Sequence, residues 1–243
     1  MPPVQIDTPS GLARAHLHPA GRPRAALVLG HGAGGGVEAP DLIAATAAAR
    51  SEALTVALVE QPYRVAGRRS PAAAKQLDAA WIAAIEHLRA NQLDRLPLIA
   101  GGRSLGARVA CRTVAETGAI AVLCLAFPLE PPRRGERPPQ SRLPELEAVK
   151  VPVLVIQGES DRFGMPPSGP NREVVKVRGD HALKADTEGV GAAVAAWLHT
   201  VAGHSAPLPG GRARAARGDA QSEDRRSDGQ RSDQEPTHQE FGT

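Results

Sequence analysis

The chain has 243 residues, of which 42 % are apolar but only 2 % aromatic. That length suits one large domain or two small ones, and the apolar share suffices to build a core. A formal charge of +3, with no basic stripe interleaved with aromatics, does not point to nucleic acid, and the two cysteines, Cys111 and Cys124, read as buried thiols rather than a disulfide framework or a metal site.

The first residues, Met1-Pro-Pro-Val-Gln-Ile-Asp7, lack the basic start and apolar stretch of a signal peptide. No apolar run approaches membrane-spanning length, so a soluble cytoplasmic protein is expected. Residues Leu12 to His18 alternate in polarity, which suits an edge strand with one buried face. His16 and His18 share a face of it, but no cysteine or carboxylate cluster accompanies them as in a metal site. Ala25 to Gly30 is a continuous apolar run, as in a strand buried on both faces. It enters the glycine-rich stretch Gly30-His31-Gly32-Ala33-Gly34-Gly35-Gly36. A helix over Ala39 to Arg50 and a second buried strand, Leu54 to Val59, follow. Ser70-Pro71 reads as a helix start, an N-cap with Pro at the first helical position. That helix runs to about Asn91, with Leu77, Trp81, Ile85 and Leu88 as its apolar stripe.

Another apolar run, Leu96 to Ala100, leads through glycines into Gly102-Arg103-Ser104-Leu105-Gly106. A helix over Ala107 to Thr117 follows, stopped by Gly118. Strand, Gly-x-Ser-x-Gly, helix is the context of a nucleophile elbow. A serine on so sharp a turn projects its hydroxyl out of the sheet. The turn needs strained backbone and close approach of neighbouring chain, so small residues, Gly102 and Gly106, must flank it. Leu105 stands at a helix N-terminus, where its N–H is free to meet a developing oxyanion.

A buried strand over Ile120 to Ala126 precedes a proline- and charge-rich loop, Pro128 to Pro139, expected to border a substrate entrance. A short helix, about Leu143 to Ala148, leads to the strand Val151 to Gln157, which ends in Gly158-Glu159-Ser160-Asp161. The last strand, Glu173 to Val177, ends in Arg178-Gly179-Asp180-His181. Asp186 or Thr187 caps a final helix whose apolar face is Val190, Val194, Trp197, Leu198 and Val201. From His204 the chain is polar and of mixed charge sign. It cannot bury enough to offset ordering entropy, so 204–243 is expected to be a disordered tail after a domain over 1–203.

Strands alternating with helices imply a three-layer α/β fold with a mainly parallel sheet, in which sites form beyond the carboxyl ends of the strands. The loop after Gly30, Ser104, Asp161 and His181 all stand at such ends. A serine hydroxyl is a poor nucleophile at neutral pH and needs a histidine base, itself oriented by a carboxylate. Ser104, Asp161 and His181 occur in the chain order used on this architecture. Asp180 and Asp186 are rivals to Asp161, and Asp180 adjoins His181 too closely to reach its ring well. His31 reads as a support of its loop, and the helical His87 and His199 as surface or boundary residues. The second oxyanion donor is expected from the N–H of Ala33 or Gly34. Glu60, at a strand end, is either a substrate contact or a plain surface charge. Gly30 to Gly35 also fits the Gly-x-Gly-x-x-Gly of dinucleotide-binding folds, but that reading leaves Ser104, Asp161 and His181 unexplained.

On these motifs the chain resembles an α/β hydrolase over about residues 12–203, without a substantial cap insertion. His31-Gly-Ala-Gly-Gly, Gly102-Arg-Ser-Leu-Gly, Gly158-Glu-Ser-Asp-Arg-Phe-Gly164 and Gly179-Asp-His-Ala-Leu-Lys184 are similar to the compact dienelactone-hydrolase-like group, and within it to the testis-expressed and KANL-type hydrolase-like family. The resemblance implies Ser104 as nucleophile, Asp161 as acid and His181 as base. The expected activity is that of a serine esterase on small acyl substrates, through an acyl-enzyme, with no cofactor or metal and as a monomer or homodimer. The alternative is a non-catalytic interaction module on the same fold.

Overall fold

Ala26 and Val28 point to one face of the third strand, and Ala25, Leu27 and Leu29 to the other; all five are fully buried. A strand apolar on both sides must have helices over both faces. The computed structural model, which describes residues 1–131 and 140–203, has that architecture. Its strands are β1 (Val4–Thr8), β2 (Gly11–His18), β3 (Ala25–Gly30), β4 (Leu54–Glu60), β5 (Leu98–Arg103), β6 (Ala121–Leu125), β7 (Val153–Gly158) and β8 (Arg172–Val177). Its helices are α1 (Pro40–Ser51), α2 (Pro62–Val65), α3 (Ala74–Asn91), α4 (Leu105–Arg112), α5 (Val114–Thr117), α6 (Leu143–Glu147) and α7 (Thr187–Gly203). The strands form one sheet in the order β1-β2-β4-β3-β5-β6-β7-β8. β1 and β2 are antiparallel to their neighbours, and every other pair is parallel.

One core layer sets Trp81, Ile85 and Leu88 of α3 and Val109 of α4 against Val28, Val122 and Val155. The other sets Leu42 and Ala45 of α1 and Val190, Val194 and Leu198 of α7 against Leu27, Leu123 and Ile156. Between β6 and β7 the described residues hold no element larger than α6 and no cap domain. No helix among the described residues is long and apolar enough to cross a membrane. The expected tail, 204–243, and the middle of the proline-rich loop, 132–139, lie outside the described residues.

Three sequence expectations are corrected. β2 is not the edge strand: β1 pairs outside it, from Val4 opposite Ala15 to Thr8 opposite Gly11. Only Ile6 of β1 is buried, too little apolar content to stand out in a short run. The helix expected from Ser70-Pro71 begins at Ala74, with Ala73 as N-cap. Residues 73–76 are exposed and Leu77 is the first buried position, so the preceding turn has little packing to offset its ordering. The segment after the elbow is helical from Leu105 and breaks at Thr113. The Thr113 hydroxyl donates back to the Val109 carbonyl at 2.8 Å, a bond that bends helices. Gly118, at φ 62°, ends α5 in the left-handed conformation, as its residue type implies.

Candidate active site

Ser104 sits between the last residue of β5 and the first of α4, at φ 51° and ψ −104°. That conformation is strained for any residue with a β-carbon, and the surrounding backbone imposes it. The Ser104 N–H donates to the Leu125 carbonyl of β6 at 2.8 Å, and the Arg108 N–H donates to the Ser104 carbonyl at 3.2 Å. The end of β3 presses against the turn from the other side. A β-carbon on Gly102 would lie 2.5 Å from the Gly30 carbonyl oxygen, and one on Gly106 would overlap that same carbonyl. The glycines are therefore required by close approach of β3 to the elbow. Leu105 is the first residue of α4, so no carbonyl of that helix reaches its N–H.

Asp161 and His181 stand on the loops after β7 and β8, and backbone bonds pin the two loops together. The Glu159 N–H donates to the Val177 carbonyl (2.9 Å) and the Ser160 N–H to the Gly179 carbonyl (3.0 Å). The loops bring His181 Nδ1 to 2.7 Å from Asp161 Oδ2, and His181 Nε2 to 2.9 Å from Ser104 Oγ. The Asp161 carboxylate is wholly buried, while the His181 side chain is 19 % exposed. The orientation of the relay follows: with Nδ1 donating to the carboxylate, Nε2 is the acceptor for the serine hydroxyl. This arrangement can take a proton from Ser104 and hold the resulting imidazolium.

Sequence reading missed the groups that hold Asp161. The two N–H groups of Gln157 Nε2 are shared among Asp161 Oδ2 (2.8 Å), the Gly164 carbonyl (3.0 Å) and the Phe127 carbonyl (3.1 Å). Three acceptors around one atom identify it as the amide nitrogen. The Phe163 N–H donates to Asp161 Oδ1 at 2.9 Å, so both carboxylate oxygens are engaged. The Phe163 ring meets the His181 ring edge-on, with centroids 4.4 Å apart. A signal for Gln157 was present: a neutral amide closing an otherwise apolar strand. Nothing comparable marked Phe163.

The glycine-rich loop after β3 lies against the elbow; a β-carbon on Gly32 would be 3.7 Å from Ser104 Cβ. Two side chains orient its peptides. His31 Nε2 accepts from the Gln61 N–H at 3.1 Å, which leaves Nδ1 to donate to the Gly32 carbonyl at 2.8 Å. Burial lowers the His31 pKa below its ordinary 6.5 and favours this neutral form. The Tyr63 hydroxyl donates to the Ala33 carbonyl at 3.0 Å, and burial raises its pKa to about 12, which keeps it a donor. In a trans peptide the N–H points opposite to the carbonyl. Fixing the Gly32 and Ala33 carbonyls therefore fixes the direction of the Ala33 and Gly34 N–H groups, the two candidates for the second oxyanion donor.

The remaining flagged residues have structural partners. Glu60 accepts from His16 Nε2 at 3.0 Å across the β2–β4 pair. Asp180 Oδ1 accepts from the Ala182 N–H (3.0 Å). Asp186 Oδ1 accepts from the Gly189 N–H (3.0 Å), which makes Asp186 rather than Thr187 the cap of α7. Cys111 and Cys124 are buried free thiols with sulfurs 3.6 Å apart. Among the described residues no three His, Cys, Asp or Glu side chains are grouped to hold a metal ion.

A mainly parallel eight-stranded sheet with helices on both faces, and a serine on a strained strand-to-helix turn, defines an α/β hydrolase. The chain belongs to the alpha/beta hydrolase domain family, whose family model matches residues 23–191. No curated protein matches the sequence. Solved structures share the fold at low identity. An a/b serine hydrolase without lid from Xanthomonas campestris is 18 % identical, with a TM-score of 0.66 over 82 % of this chain and 94 % of its own. Est1E from Butyrivibrio proteoclasticus is 15 % identical, with a TM-score of 0.66 over 82 % of this chain and 98 % of its own. A dienelactone hydrolase from Anabaena variabilis is 16 % identical, with a TM-score of 0.66 over 82 % of this chain and 97 % of its own.

Proposed function

We propose that this protein is a serine hydrolase that cleaves small esters or related acyl compounds through an acyl-enzyme. The observation that carries this reading is the hydrogen-bonded chain from Ser104 through His181 to Asp161, at 2.9 and 2.7 Å. Ser104 Oγ attacks the substrate carbonyl carbon while His181 Nε2 takes the hydroxyl proton. The tetrahedral oxyanion meets the N–H of Leu105 and that of Ala33 or Gly34. As it collapses, the bond to the alcohol breaks, and His181 gives the proton to the leaving oxygen. Water then attacks the acyl carbon, with His181 again as base, and release of the acid restores the Ser104 hydroxyl. Asp161 holds the imidazole tautomer and stabilises the imidazolium throughout.

Fluorophosphonate labelling read by intact mass tests this. One adduct is expected on the wild type and none on Ser104→Ala, with turnover of short p-nitrophenyl esters lost in parallel. Folded wild-type protein that takes up no adduct and turns over no ester would overturn the reading in favour of a non-catalytic binding module.

A further inference from the structure

We infer that Arg103 and Asp41 form a positioning pair that holds the His181 loop and the glycine-rich loop in register with Ser104. The inference rests on the hydrolase reading. Arg103 is the last residue of β5, immediately before Ser104, and its side chain is 17 % exposed. Its guanidinium reaches three elements. Nε lies 3.1 Å from Asp41 Oδ2 in the first turn of α1. Nη2 donates to the His181 backbone carbonyl at 3.1 Å. Nη1 occupies the space above Gly32, where a β-carbon would lie only 2.6 Å away.

The chemistry argues for direction rather than stability. The Asp41 side chain is wholly buried, and burial raises its pKa while the guanidinium opposes that rise. A buried ion pair of this kind adds little net stability over a well-packed apolar pair. What a planar guanidinium fork supplies is a fixed direction for each N–H while its charge is held beside the buried carboxylate. Here one acceptor is the backbone carbonyl of His181, so the fork sets where the imidazole starts from. Displacing a reacting group by about 1 Å can cost roughly 100-fold in rate.

The charged groups that face His181 are Asp161 from the loop after β7, Asp41 from α1 and the Arg103 guanidinium from β5. Two substitutions separate geometry from charge. Arg103→Lys keeps the cation and loses the fork. Asp41→Asn keeps the shape and removes the negative charge, leaving Arg103 to disfavour the imidazolium. The measurement is the second-order rate of fluorophosphonate labelling against pH, with thermal melting as the control for folding. Arg103→Lys is expected to label about 10- to 100-fold more slowly, with the acid limb of the profile unmoved. Asp41→Asn is expected to label more slowly, with that limb displaced to lower pH. Variants that label at the wild-type rate, or an Asp41→Asn profile that does not move, would overturn the pair's role and leave the hydrolase reading standing. A wild-type protein that is not labelled would overturn the hydrolase reading, and this inference with it.

Discussion

The turn under Ser104 and the side chains of Asp161 and His181 are set by different physics. At the elbow, backbone presses on backbone. β3 runs so close that Gly102 and Gly106 have no room for a β-carbon, and Ser104 keeps a strained φ of 51° because its neighbours leave no alternative. At the other two loops the backbone is also close, with no room for a β-carbon on Gly158 beside the Asp180 carbonyl, and hydrogen bonds then set the direction of the reacting side chains. Gln157 and the Phe163 N–H, four and two residues from Asp161, orient the carboxylate, and Arg103, far along the chain, donates to the His181 carbonyl. Steric confinement tolerates no added atom, whereas a hydrogen-bonded shell can lose one member and keep its shape.

That contrast can be broken at either end. The largest effect is expected from Gly106→Ala, which drives a methyl group into the Gly30 carbonyl. Overpacking of this kind costs about 1–3 kcal/mol or more, so the melting temperature and fluorophosphonate labelling should fall together. Gln157→Leu should separate the two. It removes a donor to the buried Asp161 carboxylate, a bond worth about 1.5–3 kcal/mol to a charged group. Stopped-flow acylation should slow about 10- to 100-fold while circular dichroism keeps the wild-type spectrum. Equal losses of folding in both variants would erase the distinction drawn here.

The smallest effect is expected at His31, which sharpens the comparison on the oxyanion side. Unfolded His31 takes up a proton near its ordinary 6.5, whereas burial lowers its pKa in the fold. The unfolded state therefore binds more protons as pH falls below about 6.5, and stability is lost from there downward. Melting curves of the wild type against His31→Gln should diverge in slope below that pH, with the variant flatter. Parallel curves would count against a neutral, loop-orienting His31.

The legible features share one property. Ser104 with its glycines is a pattern five residues long, and a steric demand on neighbouring residues leaves its mark in neighbouring positions. Asp161 and His181 were found one level higher, as polar residues just past apolar runs, because a parallel sheet gathers all such ends on one edge. The features that escaped depend on what packs beside a residue in space, which no local pattern records. Arg103 and Asp41 are 62 positions apart, and neither is unusual where it stands. β1 became a strand only because β2 was beside it, and α3 began late because 73–76 had little to pack against.

By itself, the order of apolar runs determined the α/β layering, since a strand apolar on both faces has one way to leave water. It also determined the elbow, since only glycine fits where two backbones touch. The tertiary structure alone decided which carbonyl each loop donor meets and what turns the imidazole toward Ser104. Those are distances between residues far apart in the chain, and they exist only once the sheet has brought its strand ends together.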